Sequence, residues 1–139
     1  MKKMAWIVDD DADMRSATHL MFQLLSYDLT EFADGREVTR ALLSGSCPDL
    51  LFLDLNMPEV SGLDILQFIR SRTTWKKMPI LIMSSDAEDA RVEQTMRMGA
   101  DSYVFKPVSL EELESAISAA IEKRRLIYEG KTGPLVEIP

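Results

Sequence analysis

The residues able to do chemistry are few, and each follows an apolar run. Leu51-Phe52-Leu53-Asp54-Leu55-Asn56-Met57-Pro58 carries one carboxylate at the end of a hydrophobic stretch, and Pro58 forbids a continuing strand. Val8 leads into three carboxylates, Asp9, Asp10 and Asp11. Met83 leads into Ser84, and Phe105 into Lys106. Taken singly these read as turn caps, helix-start charges and a loop lysine. Taken together they suit phosphoryl transfer, with Asp54 as the nucleophile. Crowded carboxylates repel by roughly 3 kcal/mol per pair at ~5 Å and an effective dielectric near 20. A cation offsets that cost, and an all-oxygen set suits Mg²⁺, with Mn²⁺ able to substitute. Asp10 and Asp54 are the expected direct ligands. Asp9 is expected to act through water or the second shell, and the Asn56 main-chain carbonyl to give a third protein oxygen. Lys106 would neutralise charge on the phosphoryl oxygens, and the Ser84 hydroxyl could bond one of them. An aspartyl phosphate would result.

The elements that must position these groups alternate. Met4–Val8 reads as a strand, followed by a helix with Met14, Ala17, Leu20, Met21, Leu24 and Leu25 at helical spacing. Leu29–Phe32 is a second strand. Asp34-Gly35-Arg36-Glu37 resembles a capping box opening a second helix, with Val38, Ala41 and Leu42 inward and Gly45 and Pro48 closing it. Leu50–Leu53 is a third strand, apolar on both faces. Ser61-Gly62-Leu63-Asp64 opens a third helix running to about Arg72, and Trp75 sits in the loop to Met78. Pro79–Met83 is a fourth strand. Asp86–Met98 is a fourth helix, ended by Gly99. Ser102–Phe105 is a fifth strand. Ser109-Leu110-Glu111-Glu112 caps a fifth helix with Leu110, Leu113, Ile117 and Ile121 inward. That helix closes on Lys123-Arg124-Arg125, favourable at its negative dipole end. Gly130–Pro139 is a tail or the start of a linker.

Strand then helix, five times, predicts an α/β fold: a doubly wound parallel five-stranded sheet with helices on both faces. By analogy with flavodoxin-like (βα)5 folds the order is 2-1-3-4-5, which gathers Asp9–Asp11, Asp54, Ser84 and Lys106 at one crevice. The 139 residues fit one domain, expected over residues 1–127, with residues 128–139 outside it. The composition, 46% hydrophobic and 28% charged, is that of a globular chain. A net charge of −7 argues against nucleic acid or an anionic membrane as the main partner. The single cysteine, Cys47, permits no internal disulfide and reads as an inert thiol. Neither a signal peptide nor a membrane span is visible, so the expected location is cytoplasmic. An EF-hand reading of Asp9, Asp11 and Asp13 fails, because Met14 and Leu20 stand where Gly and Glu are needed. Asp11 and Asp13 are read as helix-start charges, His19 as a structural or surface residue, and the nine methionines as core filler.

Five pieces in order carry a resemblance: Val8-Asp9-Asp10 with Arg15; Asp54-Leu55-Asn56-Met57-Pro58 with Gly62; Ser84-Ser85; Gly99-Ala100-Asp101-Ser102-Tyr103; and Lys106-Pro107. Over about Met4–Ile127 the chain resembles a response-regulator receiver domain of two-component signalling. The resemblance implies phosphoryl transfer from a phosphohistidine on a sensor histidine kinase or histidine phosphotransfer protein to Asp54. It implies a cis Lys106–Pro107 bond, and a switch in which Ser84 moves toward the phosphoryl group while Tyr103 turns inward. The face formed by helix four, strand five and helix five would then change, for an output partner, a missing output domain or a homodimer. Asn56 and Asp86 occupy positions that influence phosphate loss in the family. The protein would be no enzyme beyond self-phosphorylation and self-dephosphorylation. Two rivals stand beside this reading. A magnesium-dependent phosphohydrolase of the haloacid-dehalogenase kind needs an acid where Asn56 stands. A phosphorylation-independent adaptor would need no acceptor at all.

Overall fold

A computed structural model describes residues 2–57, 59–85 and 89–128. Pro58, Asp86, the expected first turn of helix four and the Gly130–Pro139 segment therefore lie outside the described residues. The elements run β1 (Lys3–Val8), α1 (Ala12–Leu24), β2 (Tyr27–Phe32), α2 (Gly35–Leu43), β3 (Leu50–Asp54), α3 (Gly62–Arg70), a 3-10 turn (Thr73–Trp75), β4 (Ile80–Ser84), α4 (Asp89–Arg97), β5 (Ser102–Phe105) and α5 (Leu110–Tyr128). All strand pairs are parallel and the order is β2-β1-β3-β4-β5. The expected fold and order are observed.

Strand alternation splits the core in two. Trp6, Val8, Leu51, Leu53, Ile80 and Ile82 meet Val38 and Leu42 of α2 and Ile65, Leu66 and Ile69 of α3. Ala5, Ile7, Leu50, Phe52, Leu81 and Met83 meet Phe22 of α1 and Leu113, Ala116, Ile117 and Ala120 of α5. The central strands β3 and β4 are buried at every residue.

The expected caps are present at Ser61–Asp64, where each side chain bonds the other's backbone, and at Ser109–Glu112. At α2 only half of the box forms. Asp34 accepts from the Arg36 N–H at 2.7 Å, and the Arg36 guanidinium, not Glu37, completes the corner by reaching Asp34 and Glu59. Gly99 follows α4 with φ +112°, a left-handed value that a Cβ would resist.

Two helix readings need correction. In α1 the inward residues are Thr18 and Phe22, flanked by Met14, Met21 and Leu25, while Ala17 is exposed and Leu20 and Leu24 are 62% and 71% exposed. The helix is apolar around much of its circumference, and Phe22, the largest side chain, takes the place against the sheet. In α5 the Lys123-Arg124-Arg125 turn is not the helix end, which lies at Tyr128. Arg124 is buried there. It bonds Asp101 Oδ1 at 2.9 Å, while Arg70 bonds Asp101 Oδ2 at 2.8 Å. Burial lowers the Arg70 pKa to about 10, against the pull of Asp101.

Candidate functional site

The C-terminal edge of the sheet brings the expected residues together. Asp54 ends β3 and is 1% exposed. Its Oδ1 accepts the Asn56 N–H at 3.0 Å, an Asx turn that stops the strand and aims the next residues out of the sheet. Its Oδ2 lies 3.1 Å from Lys106 Nζ, which leaves the end of β5. Lys106 is no solvated loop lysine: its side chain is 19% exposed and its N–H extends the β4 ladder to Ser84 O at 2.9 Å. The Lys106–Pro107 bond is cis.

Asp9 follows β1 and is fully buried, while Asp10 beside it is exposed. Asp9, Asp10 and Asp54 each place a carboxylate oxygen within 4.8 Å of the other two. The Asp11 N–H satisfies Asp9 Oδ1 at 3.0 Å. Asp9 Oδ2 is buried without a hydrogen-bond partner. Burial pushes the Asp9 pKa up to about 6; the charge of Asp54 adds to this, and the Asp11 N–H and Lys106 oppose it. A buried orphan oxygen within a cluster of carboxylates is a site a hard cation fits. Asp11 caps α1 through the Asp13 and Met14 N–H groups, as its helix-start reading expects.

Gly62 makes the corner tight. A Cβ there would fall 2.4 Å from the Asp54 carbonyl oxygen and 2.7 Å from Leu55 Cα, so α3 can start against the end of β3 only with glycine at this point.

The contacts of Arg15 and of the Asn56 side chain were not legible in the sequence. Arg15, in the first turn of α1, donates to the Asp9 carbonyl at 2.8 Å and pairs with Glu31 of β2 at 3.1 Å. Glu31 also meets His19. The Asn56 side chain, expected to influence phosphate loss, accepts the Ser84 hydroxyl at 3.0 Å. Nothing in local spacing predicts that pairing, because the partners come from different strands. Tyr103 is half-buried beside Phe105, with ring centroids 5.1 Å apart. His19 lies on α1, against Glu31 of β2. Among the described residues no helix is long and apolar enough to cross a membrane.

Comparisons with known proteins agree with this geometry. A model of the response regulator receiver domain matches residues 5–118. Chemotaxis protein CheY1 of Helicobacter pylori is 28% identical over 83% of this chain and 94% of its own length. Protein RcaC of Microchaete diplosiphon is 30% identical over 86% of this chain, which spans 18% of RcaC. The chain likewise spans 53% of the transcriptional regulatory protein KdpE of Mycobacterium tuberculosis. It thus covers about half or less of the longer curated relatives it matches. Among solved structures, chemotaxis protein CheY4 of Vibrio cholerae shares the fold with a TM-score of 0.77 at 24% identity, over 86% of this chain and 99% of that one. The bacteriophytochrome response regulator RtBRR gives 0.76 at 26%, over 94% and 93%. From its strand-end carboxylates, its sheet order and this match over most of its length, the chain belongs to the response regulator receiver domains of two-component signalling.

Proposed function

We propose that Asp54 accepts a phosphoryl group from a phosphohistidine donor and that the resulting aspartyl phosphate changes the α4–β5–α5 face. The observation that carries this reading is the buried Asp54 carboxylate, 3.1 Å from the Lys106 ammonium and beside Asp9 and Asp10. A carboxylate oxygen of Asp54 attacks phosphorus, a P–O bond forms, and the donor's P–N bond breaks with its electron pair returning to the imidazole. Lys106 holds positive charge where the phosphoryl oxygens gather negative charge. Asp10, Asp54 and the Asn56 carbonyl would hold Mg²⁺, with Asp9 acting through water. When bound, the ion lowers the repulsion between the carboxylate and the anionic group it attacks.

The donor is a histidine kinase or histidine phosphotransfer protein, and the receiver unit is residues 1–127. Ser84 bonds the new phosphoryl group, and Tyr103 follows inward, a two-state element biased by a local charge. Water hydrolyses the aspartyl phosphate, releasing inorganic phosphate and returning the carboxylate, at a rate that Asn56 and Asp86 influence. The chain is catalytic only toward itself.

Intact mass after incubation with acetyl phosphate and Mg²⁺ tests the proposal. One added phosphoryl group is expected in wild type, and none in Asp54→Asn or in chelator. No gain at any magnesium concentration, with a histidine donor also failing, would remove the phosphoacceptor reading and favour a phosphorylation-independent adaptor.

A further inference from the structure

Asn56 is bonded both to Asp54 and to the switch residue Ser84. Its main-chain N–H donates to Asp54 Oδ1 at 3.0 Å. Its side-chain Oδ1 accepts three donors from the end of β4: Ser84 Oγ at 3.0 Å, the Ser85 N–H at 3.1 Å and Ser85 Oγ at 3.4 Å. The Ser85 N–H can only donate, so the Asn56 atom facing it must be the carbonyl oxygen. The same atom faces Ser84, which makes the Ser84 hydroxyl the donor. That hydroxyl is fully buried.

A hydroxyl has one proton. While it is given to Asn56 Oδ1, it is withheld from anything on Asp54. We infer that Asn56 is a positioning residue that clamps the end of β4 in the resting form, and so sets how far a phosphoryl group on Asp54 shifts the chain. The inference rests on Asp54 being the phosphoacceptor. It differs from an effect on hydrolysis, because it concerns the resting state before any phosphoryl group is present. Activation exchanges one acceptor of the Ser84 proton for another, and the Ser85 contacts must be given up or rebuilt with it. Removing Oδ1 weakens the resting arrangement more than the active one, which has given up the Ser84 bond, and so shifts the population toward the active form.

The experiment is a titration with beryllofluoride and Mg²⁺, a non-covalent mimic of the phosphoryl group, on wild type, Asn56→Ala, Ser84→Ala and the double variant. Amide hydrogen exchange is read at Ser85 in the unliganded proteins. Loss of one net hydrogen bond predicts roughly three- to ten-fold tighter binding by Asn56→Ala than by wild type. Ser85 exchange should be faster in Asn56→Ala. In the Ser84→Ala background the gain from Asn56→Ala should largely vanish, because the competing proton is gone. Equal or weaker binding by Asn56→Ala would overturn the clamp, as would a gain of the same size in both backgrounds. Binding by none of the four proteins would overturn the phosphoacceptor reading and the clamp with it.

Discussion

Lys106 Nζ lies 3.1 Å from Asp54 Oδ2, joining the end of β5 to the end of β3 across the intervening β4. The pair puts a positive charge beside the buried carboxylate that ends the central strand. Lys106→Met keeps the stem and removes the charge. Phosphorylation by acetyl phosphate should slow by about 10²–10³-fold, the usual loss for one aligned charge-stabilising donor. A time course of intact mass measures it, with circular dichroism as the check that the fold survives.

Asp9 gives a pH dependence with a definite sign. Its pKa rises from 3.8 to about 6 in the folded chain, chiefly through burial. Between those values the folded state holds the proton more firmly than the unfolded one. Asp9 therefore contributes stability that is complete below its unfolded pKa and is lost as pH rises through about 6. Asp9→Asn, neutral at every pH, should stabilise the metal-free protein by roughly 1–2 kcal/mol at neutral pH, after discount for solvent screening, and by little near pH 4. Urea midpoints at the two pH values check this.

Magnesium should act in the opposite sense to that repulsion. At ten times its dissociation constant it should raise wild-type stability by about 1.4 kcal/mol, and chelator should reverse the gain. Asp10→Asn and Asp54→Asn should each gain much less. Thermal midpoints with and without the ion measure it.

Gly62→Ala tests the tight corner after β3. The new Cβ would sit 2.4 Å from the Asp54 carbonyl oxygen, and backbone rather than a side-chain tip must give way. A loss of about 1–3 kcal/mol in stability is expected. Phosphorylation of the fraction still folded should slow as well, since the strain falls on Asp54's own peptide unit.

Arg124→Met tests the cluster at the opposite edge of the sheet. Asp101 is 3% exposed, and its carboxylate is shared by Arg124, Arg70 and the Ile80 N–H. Breaking a buried pair from one side costs about 3–5 kcal/mol. The variant should unfold at lower urea while still taking up one phosphoryl group below its transition, which would separate scaffold from site.

Local order was readable because it has local causes. The fully apolar runs Leu50–Leu53 and Ile80–Met83 identified buried central strands, and each was followed by its polar end residue. The Ser61–Asp64 and Ser109–Glu112 caps form between residues three apart, so spacing alone revealed them. Asp34–Glu37 had the same spacing, yet Arg36, not Glu37, completes the corner by reaching Asp34 and across to Glu59. That long-range competitor has no mark in the local pattern.

By itself the sequence determined the strand–helix alternation and the placing of Asp9, Asp10, Asp54, Ser84 and Lys106 at strand ends, because a parallel sheet presents all its C-terminal ends at one edge. Only tertiary structure decided the phase of α1. Leu20 and Leu24 have the right spacing for a core face, but Phe22 and Thr18 take the sheet, since a helix with surplus apolar residues orients by volume and fit rather than by period. Only tertiary structure turned Arg124 inward to Asp101 and placed Asn56 Oδ1 against Ser84. Both are bonds between residues more than twenty apart in the chain, and their energy depends on a distance that composition and periodicity do not encode.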